Sequence, residues 1–283
     1  MFNSEYRFKF FINPLLRIIS FAADSYLGVN ELKRETPLIV SVYSKEDDFD
    51  KLEITIHSLL NQKIKPDRLI LWISDEYDLS DLPYDITKFI KNGLEINLVK
   101  DLGAYTSRIY PLKNYPNAIN VTADNCVYYP KNWLMKLYHS YIANPKDIHT
   151  HIAHKIEVDT ENNSLAHYKS WKKSIRDEAS QYNNFAGEAG GILYPQKCFL
   201  KEVFRDDIFL KNNITNPNIW FWFMGVLSGR KTRVVKNHIN SISSTNFFKA
   251  IMSDDSKQYG DYDRQISLLM NYYRQNILPK ITK

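Results

Sequence analysis

Continuous apolar runs alternate with helix-spaced apolar positions along the first half of the chain. PLIVSVYS (37–44) reads as a strand buried on both faces, and the segment after it places Leu52, Ile56, Leu59 and Leu60 at helical spacing. RLILWIS (68–74) is a second strand, DITKFIKN (85–92) a short helix closed by Gly93, LEINLVK (94–100) a third strand and AINVTAD (118–124) a fourth. This alternation predicts an α/β fold with a mostly parallel, Rossmann-like sheet flanked by helices, whose ligand crevice lies beyond the carboxyl ends of the strands. Asp75, Asp101 and Asp124 all fall at such ends.

The second half mixes element types. IHTHIAHKIEV (148–158) reads as a strand, GEAGGILYP (187–195) as a glycine-rich turn feeding another, and NIWFWFMGVLSG (218–229) as a buried helix stopped by Gly229. TRVVKN (232–237) is a late strand and YDRQISLLMNYYRQ (262–275) a terminal amphipathic helix. No internal repeat, low-complexity tract or linker interrupts this order. The expected organisation is an N-terminal amphipathic extension (1–34) followed by one domain (35–283).

Composition narrows the function classes. At 283 residues and 44% hydrophobic the chain can bury a substantial core. A charge of +5 suits an anionic ligand or an acidic membrane surface, whereas no basic tract points to nucleic acid. The two cysteines, Cys126 and Cys198, form neither a metal-type pair nor a disulfide framework, which suits a reducing cytoplasm. MFNSEYRFKFFINPLLRIISFAADSYLG at the amino end is too broken by Lys9, Asn13, Pro14, Arg17 and Asp24 to span a bilayer. Its interleaved aromatic and basic residues fit a segment lying at a membrane surface, or an amphipathic helix packed on the domain.

Chemistry at a sugar diphosphate requires its leaving-group charge to be neutralised, commonly by a divalent cation on carboxylate oxygens at a strand end. In NVTADNCVYYPKNWL (120–134), Asp124 stands where such a ligand belongs, but Asp is also a common turn former. Gly190 and Gly191 admit close backbone approach to a ligand, such as an acceptor, or to another strand, or a simple bulge. Trp220 and Trp222 lie in a very apolar run, where one faces an acceptor sugar or both pack the core.

The ordered landmarks PLIVSVYS, SLLNQKIKPDRLILWIS, DLGAYTSRIYPLKNYPNAINVTADNCVYYPKNWL, the Tyr and Trp of HYKSW, GEAGGILYP, NIWFWFM, LSGRKTRVV and DYDRQI run from about residue 37 to 275. In this order they resemble bacterial glycosyltransferases of the GT-A nucleotide-diphospho-sugar transferase fold, which act in surface polysaccharide or lipooligosaccharide assembly. The resemblance implies transfer of a monosaccharide from a nucleotide-sugar donor, a UDP-sugar by analogy, to a saccharide or glycolipid acceptor.

Carried over by position, the resemblance places Ser41 and Tyr43 at the nucleotide base and ribose, with Tyr43 stacking on uracil or capping the core. It places Asp75 at the base or ribose, and Arg108, where a lysine is commoner, at the diphosphate. The family's three aspartates after Thr-Ala fall on Asp124, Asn125 and Cys126, so only the first is retained. A thiol is a poor partner for Mg2+ or Mn2+, and His238 is the further nitrogen ligand to consider. The aspartate pair that precedes Ile-Trp falls on Pro217 and Asn218. An amide has no useful proton affinity, so Asn218 marks the catalytic position without serving as base. Glu188, within GEAGG, is the candidate replacement; Asp206 and Asp207 stand in an exposed-looking turn, and Asp263 matches an acidic position of the last motif.

Two functions therefore stand side by side: a glycosyltransferase with altered acidic motifs, and a non-catalytic relative of that fold that binds saccharide or scaffolds a partner. A sugar-phosphate nucleotidyltransferase normally opens with a glycine-rich phosphate loop, and SVYSKEDDFDK contains no glycine.

Overall fold

The apolar runs of the first half become β1 (Leu38–Tyr43), β2 (Arg68–Ser74) and β3 (Leu94–Val99), with α1 (Phe49–Leu60) between the first two. In this computed structural model, residues 26–32, 34–239, 243–244 and 255–282 are described; expectations for residues 1–25 lie outside them. β1 pairs with β2 and β2 with β3, all parallel. β1 and β2 are buried almost throughout, as continuous Val, Ile and Leu runs demand in a sheet covered on both faces. β3 is half-buried and ends the strand order, where Arg68 grips Glu95 through two hydrogen bonds across the ladder.

After α2 (Tyr84–Thr87) and α3 (Thr106–Asn114) come β4 (Ile119–Ala123), β5 (Val127–Tyr128) and α4 (Trp133–Ala143). The later strands are β6 (Ile148–Thr150), β7 (Ala153–Lys155), β8 (Val158–Asp159), β9 (Ser164–Leu165), β10 (Asn184–Ala186) and β11 (Ile192–Tyr194). α5 (Asp206–Phe209), α6 (Pro217–Leu227), β12 (Thr232–Val234), β13 (Ser243–Ser244) and α7 (Asp255–Ile281) complete the order. The main sheet runs β12-β6-β11-β4-β1-β2-β3 and is mostly parallel, with β11 antiparallel to β6. The fold is therefore the expected mixed α/β class.

The chain divides into two compact units that interleave along the sequence. The first comprises residues 1–111, 121–135 and 241–253, and the second 112–120, 136–240 and 254–283. In the first, Leu52, Ile56, Leu59 and Leu60 of α1 are fully buried, as their spacing predicts. In the second, Trp220, Phe221 and Phe223 of α6 are buried to 2% exposure or less, and Leu269 and Ile277 of α7 are fully buried.

Two elements differ from expectation. The helix expected over 85–92 splits into α2 and a 3-10 turn at Ile90–Asn92, although Gly93 does close it in the left-handed region at φ 93°. The strand expected over 148–158 breaks into β6, β7 and β8 because Thr150 turns its hydroxyl onto the main chain. Thr150 Oγ1 donates to Gly191 O at 2.8 Å and accepts from Ile152 N at 3.3 Å, after which β7 pairs with β10.

Candidate functional site

Within the first unit, the carboxyl ends of β1 to β4 carry a linked polar rim. Tyr43, last residue of β1, donates its hydroxyl to Asp101 Oδ1 at 2.6 Å, and burial followed by Asp101 raises its phenol well above the usual range. Asp101 also accepts from Gly103 N at 2.6 Å and lies 3.8 Å from the exposed Lys45 amine. Asp75 is exposed just past β2, its N–H bound to Val99 O at 2.9 Å. Tyr110 stacks on Trp72 at 5.6 Å, and its phenol is raised by burial and by the charges of Asp75 and Asp101. Ser41, in contrast, is 1% exposed and accepts from Trp72 Nε1 at 3.2 Å. It supports the rim from beneath and presents nothing to a ligand.

The 124–126 turn is fixed by a row of polar side chains on and just past α1. Thr55 and Ser58 of α1, and Gln62 two residues past its end, follow a helical spacing, and each bonds the main chain beyond β4. Thr55 Oγ1 donates to Asn125 O at 2.8 Å and accepts from Val127 N at 3.1 Å. Ser58 Oγ accepts from Tyr129 N at 3.1 Å, and Gln62 Oε1 accepts from Leu134 N at 3.0 Å. Buried polar groups must be paired, so this row sets the path of the turn. Polar residues at helical spacing within an apolar helix were the signal available for it, and the motif comparison did not use them.

Asp124 is exposed, its N–H donating to the buried Tyr129 hydroxyl at 2.8 Å. Asn125 Nδ2 donates to Ser44 Oγ at 3.2 Å and to Asp48 Oδ2 at 3.1 Å, while Lys51 pairs with Asp48 at 3.4 Å. Cys126 is a buried thiol. Arg108 is 7% exposed and donates through Nη1 to Ala104 O at 3.0 Å, so its guanidinium is packed against the helix start and is not an open phosphate fork. A divalent cation does not fit this donor set: of the three turn residues one is a carboxylate, one offers a single neutral amide oxygen while its NH2 binds Asp48, and one is a buried thiol, which together fall short of the oxygen shell such a cation takes. No group of three His, Cys, Asp or Glu able to hold a metal occurs among the described residues. Half-buried His238 belongs to the second unit and joins no such group.

Within the second unit, Glu188 is exposed and held by two donors. Tyr262 Oη donates to its Oε1 at 2.9 Å and Asn216 Nδ2 at 3.2 Å. Asn216 is the N-cap of α6, where its Oδ1 accepts from Asn218 N at 2.8 Å. Asn218 is 6% exposed and lines a small pocket with Tyr194, Phe221 and Trp222. Gly190 leaves room for protein: a Cβ there would lie 2.8 Å from Ile152 N and 3.1 Å from Thr150 Oγ1. Gly191, at φ 70°, supplies the carbonyl that Thr150 binds. Trp220 is fully buried with Nε1 on Val203 O at 3.0 Å, and Trp222 is buried with Nε1 on Tyr182 O at 2.8 Å. Both indoles are buried in the packing of the second unit. Asp207 forms an exposed pair with Arg205 at 2.7 Å beside exposed Asp206.

No protein-family model matches the chain, and no curated protein matches it. Among solved structures, it is similar to the mannosyltransferase PcManGT from Pyrobaculum calidifontis in complex with GDP-Man and Mn2+. The identity is 14% over 50% of this chain and 43% of that one, with a TM-score of 0.34. It is similar to GalNAc-T7 with UDP, GalNAc and Mn2+ at 13% identity over 77% of this chain and 48% of that one, with a TM-score of 0.45. The inositol-1-phosphate CTP transferase from T. maritima shows 14% identity over 83% of this chain and 98% of that one, with a TM-score of 0.39. The chain spans less than half the length of the first two. These likenesses carry no argument about what this chain does, so its own side chains must.

Proposed function

We propose that the chain is a GT-A-type glycosyltransferase whose first unit takes a nucleotide-sugar donor, a UDP-sugar, beyond the carboxyl ends of β1 to β4. The observation that carries this reading is the rim itself. An open parallel sheet gathers an aromatic hydroxyl (Tyr43) and three strand-end carboxylates (Asp75, Asp101 and Asp124) on the side where such sheets bind nucleotides. Tyr43 supplies a ring for the base, and Asp75 or Asp101 accepts ribose hydroxyl hydrogen bonds. In the second unit, Glu188 is the proton acceptor that the sequence resemblance suggests for the attacking hydroxyl of a saccharide or glycolipid, and its two donors fix the carboxylate oxygen. Because the 124–126 turn does not fit a cation, no step is routed through one. Phosphate charge would have to be met by cations such as Lys45, which lies exposed beside Asp101.

A second reading, binding without turnover, draws on Asn125 and Cys126 in the acidic turn and on the burial of Asn218. Calorimetric titration with UDP and UDP-sugars, with Mn2+ and with chelator, tests both readings. Binding that survives chelation and weakens at least tenfold in Tyr43→Ala, together with donor hydrolysis or transfer, supports the enzyme. Binding without any turnover supports the second reading, and absence of nucleotide binding removes both. A role in bacterial surface polysaccharide or lipooligosaccharide assembly belongs to the same proposal, as does residence at the inner membrane face through residues 1–28. No described helix is long and apolar enough to cross a membrane. Deleting residues 1–28 should therefore move the protein from the membrane fraction to the soluble one.

A further inference from the structure

The motif DYDRQ (261–265), at the first described turns of α7, does something that its sequence did not announce. Each of its five side chains bonds a segment outside or along the helix. Asp261 Oδ2 accepts from Thr215 Oγ1 at 3.3 Å, and Gln265 accepts from Asn216 N at 3.0 Å. Arg264 Nη2 donates to Asn213 O at 2.9 Å. Asp263 accepts from Tyr168 N at 2.7 Å and lies 3.0 Å from His167 Nδ1. Tyr262 stacks on Tyr168 at 4.1 Å between ring centres, and its hydroxyl donates to Glu188 Oε1 while accepting from Asn216 Nδ2. The 167–168 segment and the 212–216 loop are thus clasped to one helical turn, and the exposed tip of that clasp is the Glu188 carboxylate.

We infer that Tyr262 is the positioning residue of Glu188, and that the surrounding clasp exists to hold the Tyr262 hydroxyl at the carboxylate. This deepens the proposed function and rests on Glu188 being its proton acceptor. The ring of Tyr262 is 4% exposed and packs against Tyr168 and Phe185, so a phenylalanine keeps the packing and deletes only the hydroxyl. Without that donor Glu188 retains Asn216 Nδ2, whose own second partner is also lost. An exposed carboxylate held by one side-chain amide samples other rotamers, and proton abstraction depends on its placement to within a fraction of an ångström. Asp263 acts one step further away, since it fixes the Tyr168 on which Tyr262 leans.

The test is a kinetic cycle on the full chain with wild type, Glu188→Gln, Tyr262→Phe and the double variant, measured as glycosyl transfer from a UDP-sugar. Tyr262→Phe should lower kcat roughly tenfold or more with the donor KM unchanged, the scale of a lost hydrogen bond to a charged group. In the Glu188→Gln background the same substitution should change kcat by less than about twofold, because its effect runs through the carboxylate. Full, multiplicative loss in both backgrounds would overturn the inference while leaving Glu188 as the base. Full activity of Glu188→Gln would remove the base instead. A crystal structure of Tyr262→Phe supplies a reading independent of activity: Glu188 should leave Asn216 or become disordered. If it keeps its rotamer and its bond to Asn216, Tyr262 does not position it.

Discussion

Asn125 occupies a position at which the resembled family carries an aspartate, and its surroundings say what restoring that aspartate would do. Asn125 Nδ2 lies 3.1 Å from Asp48 Oδ2 and 3.2 Å from Ser44 Oγ, so the amide acts as a donor to a carboxylate. Asn125→Asp replaces that donor with a second negative charge at nearly the same distance. The lost charge-assisted hydrogen bond is worth about 1.5–3 kcal/mol. The new repulsion at 4 Å ranges from about 1 kcal/mol in bulk water to about 4 kcal/mol near a protein surface. Asp48 is 29% exposed and pairs with Lys51, and the new side chain can rotate, so the low end applies and the net loss is about 2 kcal/mol. For a chain of this size that corresponds to a fall in Tm of roughly 3–4 °C. Thermal denaturation by circular dichroism at low ionic strength and pH 7 reads it directly. Added salt should recover part of the loss. Asn125→Ala, which removes the donor without adding charge, should lose less. An Asn125→Asp protein as stable as wild type at pH 7 and low salt would refute the argument, and a gain in Mn2+ affinity would show that the turn does accept a cation after all.

Burial pushes His149 and His154 down to about 4, so both stay neutral in the folded protein over a range where the unfolded chain takes up protons. Stability should therefore fall as pH drops from about 6.5 toward 4, with a slope approaching about 1.4 kcal/mol per pH unit for each histidine; urea denaturation between pH 5 and 6.5 should show it, and a flat profile would contradict it. Gly190→Ala forces a Cβ to within 2.8 Å of the Ile152 backbone and should cost about 1–3 kcal/mol, measurable as a lower urea midpoint at unchanged m-value. Ser58→Ala removes the hydroxyl that receives Tyr129 N and should loosen the 124–134 segment, seen as faster amide exchange there by roughly tenfold, whereas protection equal to wild type would show that the α1 row does not hold the turn.

Much of the architecture was legible along the chain. The runs LIVSVY and RLILWIS read as buried strands, the spacing of Leu52, Ile56, Leu59 and Leu60 reads as a helix face that covers such a sheet, and Gly93 and Gly229 mark where φ turns positive. Periodicity reports burial, and burial is what these elements share. It does not report the direction of a hydroxyl, which is why 148–158 was expected as one strand although Thr150 breaks it.

The amino-acid order by itself determined the α/β class, the strand ends that carry Asp75, Asp101 and Asp124, and the absence of a full acidic triplet after Thr-Ala. Only the tertiary structure decided which polar residues act together. It buried Ser41, Arg108, Asn218, Trp220 and Trp222, made Asn125 a donor to a carboxylate far away in sequence, and joined Glu188 to Asn216 and Tyr262. The physical reason is that apolar burial follows local spacing, whereas hydrogen bonds and ion pairs depend on atoms that long-range folding brings within about 3 Å, a distance no linear pattern encodes.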